Sequence, residues 1–329
     1  MKTSKTILGT LLMGLALSVS CKSSDDIDND CDGICDVATA EAFNALQEAA
    51  LSELTQEFTF NADGSTVTLT SENGVNIYIN TSCLTQNGNA VSGNVALEFV
   101  ELFDKGNMLV TNKPTMGIMP DGNQALLISG GEFYLNATQN GEALDTNCGF
   151  QMSIPAELTG GADNAMLLWE GIIDENGDLA WDQKGRDNPN GQGGVFVEGN
   201  EYYGFFDSFG WANVDRFYSD PRPKTTILVA VPDGYDNANS AVYISYDGED
   251  TGLAKLDTYD TNTGLFSEHY GQIPIGLECH IIFATEEGDN WKYAIKPVTI
   301  VEDGIITFSE AETAVATEDQ LTVIINNLP

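Results

Sequence analysis

The sequence predicts a mostly β protein in which two tandem antiparallel β-sandwich domains follow a single α-helix. Asp-Gly and Asn-Gly pairs recur between positions 63 and 303, and such pairs favour the positive φ angles that tight hairpins require. Short segments of alternating apolar and polar residues lie between the pairs, for example residues 66–70 and 95–102. The clearest helical spacing of apolar side chains falls in residues 37–57. Short strands joined by Gly-rich turns favour sandwiches over a parallel sheet with crossover helices.

The first 20 residues have the layout of a secretory signal peptide. Lys2 and Lys5 precede an apolar run over residues 7–19, which is too short for a bilayer core that needs about 20 residues. Ser20 and Cys21 at the end of this run resemble the lipobox of bacterial lipoproteins. The resemblance implies that Cys21 becomes the first residue of the mature chain and carries acyl chains. The protein would then bind a membrane through this lipid anchor.

Residues 21–36 are predicted to form an acidic tether. Residues 22–26 (KSSDD) look like the export signal of Bacteroidota lipoproteins. This resemblance implies a protein anchored in the outer membrane and facing the cell exterior. The formal net charge of the chain is −37. Because such a surface repels phosphate groups, nucleic acid is excluded as a partner.

Four aspartates of the tether surround Gly33 at alternate spacing: Asp28, Asp30, Asp32 and Asp36. This spacing is similar to the DxDxDGxxD pattern of thrombospondin type 3 and EF-type calcium loops. Calcium takes six to eight oxygen ligands, and alternate carboxylates around a glycine turn can supply several of them. Thr39 stands where an EF-type loop has its bidentate acid. Two alternatives therefore stay open, one bound calcium or a solvated tether, and no other cofactor is predicted.

The cysteines predict an exported protein with disulfides. Once Cys21 is acylated, five cysteines remain, and an odd number leaves at least one thiol unpaired. The favoured pair is Cys83 with Cys148, because both adjoin strands of the same predicted domain. A local Cys31–Cys35 disulfide would stiffen the tether, and it is preferred over a zinc site because no histidine lies nearby.

The predicted domains are a sandwich over residues 58–157, a hairpin with a Gly/Asn-rich linker over residues 158–200, and a C-terminal sandwich over residues 201–329. Residues 126–145 (LLISGGEFYLNATQNGEALD) resemble the ZU5-like β-sandwich module of surface-exposed Bacteroidota lipoproteins. ZU5-type domains mostly bind other proteins, so the resemblance implies no catalytic residue. Residues 264–276 (GLFSEHYGQIPIG) are similar to the Pro-x-Gly turn of transthyretin-like and carboxypeptidase-regulatory-like sandwiches.

The C-terminal domain contains a predicted hairpin on either side of residues 285–290 (TEEGDN). Cys279 and Phe283 share the inward face of its first strand, so Cys279 is predicted to be a buried free thiol. Trp291, Tyr293 and Ile295 are predicted to complete the same inner face from the second strand.

Residues 205–224 (FFDSFGWANVDRFYSDPRPK) concentrate cations in a chain that has few of them. The candidate ligand-binding residues are Trp211, Asp215, Arg216, Arg222 and Lys224. One interpretation is an internal polar network in which Asp215 or Asp220 pairs with the arginines. The other is a site for an anion or an acidic glycan, with the indole as a stacking platform and the cations as clamps.

The sequence contains no motif that indicates catalysis. G-x-S-x-G, H-E-x-x-H, P-loop and dinucleotide-binding patterns are absent. His280 lies beside Cys279, but adjacent strand residues point to opposite faces, which argues against a Cys/His dyad. We therefore expect a non-catalytic cell-surface lipoprotein that acts as a structural, adhesion or protein-interaction module. The alternative is a glycan-binding lipoprotein of a nutrient-uptake system, and an extracellular hydrolase comes third.

Overall fold

The computed structural model of the protein describes residues 37–173, 179–185, 194–268 and 271–329. These residues are mostly β, which confirms the predicted class, and Val37–Pro329 forms one compact unit. Several predicted features lie outside the described residues: the signal peptide, Cys21, Asp28, Asp30, Asp32, Asp36, and the Cys31–Cys35 pair.

A helix begins the described chain, inside the segment predicted to be helical. Thr39 caps its N-terminus by accepting a hydrogen bond of 3.1 Å from the N–H three residues ahead. The helix buries Phe43 and Ala50, and the Phe43 ring meets the Trp291 ring edge-on with centroids 6.1 Å apart. The helices are α1 (Ala40–Glu53), α2 (Lys105–Val110) and α3 (Glu318–Asn326). None of the helices in the described ranges is long and apolar enough to cross a membrane.

The strands of the N-terminal part form two large sheets that face each other. They are β1 (Gln56–Ala62), β2 (Thr66–Thr70), β3 (Asn76–Asn80), β4 (Leu84–Gln86), β5 (Asn89–Ala90), β6 (Gly93–Leu102), β7 (Met116–Ile118), β8 (Gln124–Gln139), β9 (Glu142–Ala143), β10 (Asp145–Thr146), β11 (Phe150–Pro155), β12 (Leu167–Ile173), β13 (Leu179–Gln183), β14 (Val195–Glu198), β15 (Glu201–Phe206) and β16 (Gly210–Phe217). Sheet A has the order β1-β6-β8-β16-β12-β13-β7, with β9 added to β8. Sheet B has the order β14-β15-β11-β3-β2, and a small sheet joins β10, β4 and β5.

Sheets A and B enclose one hydrophobic core. Phe99 and Phe133 of sheet A stack with ring centroids 6.1 Å apart, and Met152, Ile154 and Tyr202 of sheet B are buried in the same cluster. Burying a side chain of this size contributes about 1.5–3 kcal/mol. Because inward and outward residues alternate along each strand, the core also fixes which side chains sheet B presents on its outer face.

The strand pairings extend this sandwich beyond the predicted boundary at residue 201. Strand β15 pairs with β11, and β16 pairs with β8 in the middle of sheet A. Residues 201–217 therefore belong to the first pair of sheets, although the sequence assigned them to the C-terminal domain. The segment predicted as hairpin and linker also supplies β12, β13 and β14 to these sheets. Alternation identifies a strand, but it does not reveal the partner that the strand finds after a long connection.

The C-terminal part forms a second pair of sheets. Its strands are β17 (Lys224–Thr225), β18 (Leu228–Ala230), β19 (Ser240–Tyr246), β20 (Ala254–Lys255), β21 (Thr258–Asp260), β22 (Leu265–Ser267), β23 (Ile273–Pro274), β24 (Glu278–Glu287), β25 (Asn290–Thr299), β26 (Ile305–Thr307) and β27 (Ala314–Ala316). Sheet C has the order β21-β22-β18-β26, and sheet D has the order β20-β19-β24-β25-β27. Val229 and Phe266 of sheet C share a buried cluster with Ile281 and Phe283 of sheet D.

The register of β24 and β25 corrects one sequence-based expectation. Phe283 lies opposite Ala294, and residues directly opposite each other share a face. Trp291 and its neighbours at 293 and 295 therefore lie on the other face, where Trp291 contacts α1. The prediction of Trp291, Tyr293 and Ile295 on the inner face is wrong because a shift of one residue in register exchanges the two faces of a strand. Cys279 is a buried free thiol.

A disulfide joins Cys83 to Cys148, the pair favoured from the sequence. The Cα atoms are 5.8 Å apart, and the bridge spans 65 residues of sequence. It ties the small sheet of β4, β5 and β10 to the start of β11, because Cys83 directly precedes β4 and Cys148 lies between β10 and β11. The loop that it closes is long, so it restricts the unfolded chain substantially.

We expect the double variant Cys83→Ser/Cys148→Ser to lose about 2–4 kcal/mol of unfolding free energy, because the unfolded chain regains the entropy that the crosslink removes. Urea denaturation followed by tryptophan fluorescence measures this loss. Dithiothreitol should lower the stability of the parent chain and leave the double variant unchanged. Equal stability of the oxidised parent and the variant would contradict the prediction.

Candidate functional site

The predicted ligand-binding residues do not converge on one site. Arg216 Nε donates to Asp163 Oδ2 at 2.6 Å, whereas Arg222 Nε donates to both carboxylate oxygens of Asp220 at 3.0 and 2.9 Å. Lys224 Nζ donates to the backbone oxygen of Asp220 at 2.7 Å. Hydrogen bonding from the Arg222 guanidinium holds the pKa of the Asp220 carboxyl well below its usual range. The basic side chains are thus held in local ion pairs. For Asp220 and Arg222 this is the internal polar network that the sequence suggested.

Trp211 is packed against its neighbours instead of standing as an open platform. Its ring centroid is 5.2 Å from that of Tyr134 and 6.3 Å from that of Trp181. Lys113 Nζ lies 5.4 Å from the centroid of the same indole ring, within the range of a cation–π contact. The side chain is half-buried, and much of its ring is already engaged by the protein.

Part of sheet A closes on itself around the tryptophans. Strand β7 pairs with β13 on one side and with β8 on the other, so that β8, β16, β12, β13 and β7 form a ring. Trp169 and Trp181 are fully buried there. Their indole N–H groups donate to the backbone oxygens of Asp215 at 2.9 Å and Pro114 at 3.1 Å. Gly171 is required in this ring because a Cβ would lie 2.5 Å from the Trp211 Cβ.

A buried polar cluster of Ser129, Glu132, Asn213 and Asp215 lies between the paired strands β8 and β16. All four residues are 0% exposed. Ser129 Oγ donates to Asn213 Oδ1 at 3.1 Å, and the Asn213 amide donates to Asp215 Oδ2 and, at 3.5 Å, to Glu132 Oε1. One oxygen of each carboxyl, Glu132 Oε2 and Asp215 Oδ1, has no hydrogen-bond partner.

Burial controls the protonation of both acids in this cluster. Removal from water raises the pKa of Glu132 well above its usual range, the nearby Asp215 raises it further, and Lys113 opposes the shift. Burial likewise raises the pKa of Asp215 well above its usual range, and the hydrogen bond from the Asn213 amide opposes the shift. Two buried carboxyls close to each other repel when both are ionised, so the pair favours keeping a proton over carrying two negative charges. The Glu132–Asp215 pair can therefore hold a proton in the folded protein.

The remaining titratable candidates are separated by the sheet. His280 Nδ1 lies 2.8 Å from Asp247 Oδ1, while Cys279 is buried in the core of the C-terminal sheets, where desolvation raises its pKa to about 12. A thiol with a raised pKa is a poor nucleophile. Within the described ranges, no group of three or more His, Cys, Asp or Glu side chains is arranged to hold a metal ion.

The outer face of sheet B is the feature that the sequence did not predict. We name it the aromatic face, and its members are Thr66, Thr68, Thr70, Asn76, Tyr78, Asn80, Gln151, Ser153, Pro155, Phe196, Glu198, Glu201, Tyr203 and Phe205. The alternate residues of the same strands point into the core. Phe196 and Phe205 are each 47% exposed, and their rings meet edge-on with centroids 5.9 Å apart.

The strand register of sheet B brings the aromatic side chains of this face close to one another. Phe196 lies directly opposite Tyr203, and Tyr78 and Phe205 both lie opposite Gln151 on its two sides. Hydrogen bonding to the Glu201 carboxylate, together with its charge, raises the pKa of Tyr203. Aromatic residues at both odd and even positions of residues 202–206 (YYGFF) are the signal that could have revealed this face.

No family model matches this sequence, and a search of curated proteins finds no similar chain. The functional interpretation therefore depends on the residues described above.

We expect the unfolding free energy to fall as pH rises above about 5, because the folded pKa of Glu132 lies well above the value near 4.3 of an unfolded glutamate. Between the unfolded and the folded pKa, the unfolded chain has released the proton that the folded chain keeps, so the slope reaches about −1.4 kcal/mol per pH unit for one proton. Chemical denaturation at several pH values measures it.

Glu132→Gln should reduce this pH dependence to the part that comes from Asp215. At the alkaline end of the series it should be at least as stable as the parent, because glutamine holds no charge to bury. Glu142→Gln is the matched control, since Glu142 is exposed on β9. A parent chain whose stability does not change over this range would show that the buried pair does not hold its proton.

Proposed function

We propose that the protein is a non-catalytic binding module of the cell surface, which contacts its partner through the aromatic face. The observation that carries this proposal is the exposure of Phe196 and Phe205 on the outer face of sheet B, whose inner face is packed in the core. Exposed aromatic rings gathered in one patch are characteristic of interaction surfaces.

The chemistry of the other clusters supports a binding role. Glu132 and Asp215 are 0% exposed, so a substrate has no path to them without an opening of sheet A. The cations of residues 216–224 are engaged by Asp163 and Asp220. Catalytic groups need to reach a substrate atom, whereas the aromatic face is available without any rearrangement.

The predicted location agrees with this role. A lipid anchor at Cys21 and an export signal over residues 22–26 would hold the protein on the outer face of the outer membrane. The proposal includes two tandem sandwich domains, of which the first is a ZU5-like module. The first sandwich extends to Phe217, because β16 pairs with β8. A protein-interaction or adhesion role is favoured over the hydrolase alternative, because the acids singled out in the described part of the chain are closed off from a substrate.

We expect Cys21→Ala to abolish incorporation of radiolabelled palmitate and to release the chain from the membrane fraction, because no acyl chain can then be attached. The parent chain should be labelled, and protease added to intact cells should remove it. Cys279→Ala, which removes a buried thiol, is the control and should remain labelled. A labelled Cys21→Ala chain would rule out this anchor.

A photo-crosslinker tests the binding face on living cells. With p-benzoylphenylalanine in place of Phe205, irradiation should give a covalent adduct, because this side chain projects from the aromatic face. The control carries the same group in place of Ile305, which is 64% exposed on β26 of sheet C. Mass spectrometry then identifies the adduct as protein or glycan. Absence of an adduct at position 205, or equal adducts at both positions, would refute the proposal.

A further inference from the structure

We infer that the partner of the aromatic face is a neutral, extended glycan chain. This inference rests on the proposed function, since it names the occupant of the same surface. It is carried by three properties of the face: the placement of its rings, the hydrogen-bonding groups between the rings, and the near absence of charge on it.

The rings are placed along the sheet in a way that suits a chain of sugars. Tyr78 on β3, Tyr203 and Phe205 on β15, and Phe196 on β14 lie across four adjacent strands. Neighbouring strands are about 4.8 Å apart, so these rings extend over about 14 Å. The C–H groups on one side of a pyranose ring form an apolar surface that packs on an aromatic ring. The span exceeds one sugar, which predicts an oligosaccharide as ligand.

Amide and hydroxyl side chains occupy the spaces between and beside the rings. Asn76 donates to Ser153 Oγ at 3.3 Å and accepts from Thr70 Oγ1 at 2.8 Å, so this row is held in a defined arrangement. Gln151 lies between Tyr78 and Phe205. Amides offer both donors and acceptors, which match the hydroxyl groups of a sugar, and uncharged side chains desolvate at lower cost than ions.

The charge of the face discriminates among ligand classes. The chain has 50 acidic and 13 basic residues, yet the charged members of the aromatic face are Glu198 and Glu201. These two lie opposite each other at one end of the β14–β15 hairpin. An anionic glycan would meet repulsion there and no cation on the face to offset it. A basic protein would find few acids in the centre. The complementary partner is therefore uncharged.

This occupant differs from the acidic glycan that residues 211–224 suggested. The cations required for an acidic ligand are paired with Asp163 and Asp220, and the Trp211 ring is packed against Tyr134. The sequence suggested that one site in residues 211–224 would combine a stacking indole with cations that bind an anion. The described residues place the exposed rings on sheet B, away from the cations on β16 and β17.

The test uses the purified full-length lipidated protein in detergent on an array of neutral and acidic glycans. Calorimetry with the best neutral hexasaccharide, and with hexagalacturonate as the anionic probe, then gives dissociation constants. We expect binding of at least one neutral glycan, and a Kd raised about tenfold or more in Phe196→Ala/Phe205→Ala. Phe205→Tyr keeps the ring and should retain binding. Val301→Ala/Ile305→Ala is the matched control, because it truncates two aliphatic residues that are 61% and 64% exposed.

The outcomes separate this inference from the proposed function. An array without neutral binders, tighter binding of hexagalacturonate, or an unchanged Kd in the double variant would each overturn the glycan as occupant. A protein adduct at position 205 on cells, together with a blank array, would retain the binding face and reject the glycan. Thermal unfolding of each variant checks that the loss does not come from misfolding, and Phe205→Tyr supplies the second comparison if the double variant is unstable.

Discussion

The fold depends on the long strand β8, which pairs with four other strands. Its second half lies between β6 and β16, its first half borders β7, and its end pairs with β9. A β-bulge at Gly130 and Gly131 allows the single strand β8 to make all of these pairings. Gly131 has a φ of +132°, and a Cβ on Gly130 would lie 2.8 Å from the Val214 backbone oxygen. Only glycine fits both requirements.

This bulge changes which face each half of β8 presents. Beyond it, Phe133 points into the core between sheets A and B, whereas Leu127 before it packs with the buried tryptophans. The same shift brings Ser129 and Glu132 to one side of the strand, where they meet Asn213 and Asp215 on β16. The buried acids are therefore a consequence of a local change in strand geometry. A protonated pair costs less to bury than an ionised one, which explains how the sheet tolerates them.

The sequence predicted the mostly β class and the position of α1, because these depend on local spacing and on turn residues. It also favoured the Cys83–Cys148 pairing, because both cysteines adjoin strands of one predicted domain. It failed where distant segments meet. The assignment of residues 201–217 to a later domain was wrong because only the pairing of β15 and β16 reveals their sheet. The closure of the ring of strands that buries Asp215 has no local signal in the sequence. The aromatic face has a similar cause, because Tyr78 lies far in sequence from Phe196 and Phe205, and only the pairing of β11 with β3 and β15 brings them onto one sheet.

The contact between α1 and sheet D joins the first described residues of the chain to its C-terminal half. Phe43 of this first helix packs on Trp291, and the Asn239 side chain donates to the backbone oxygen of Ala38 at 2.9 Å. The same helix also packs on Val100 and Leu102 of β6, and it leads directly into β1 of sheet A. It therefore shares its apolar side between the two pairs of sheets. Opening of either pair would expose part of that apolar side to water, which couples the stability of the two pairs.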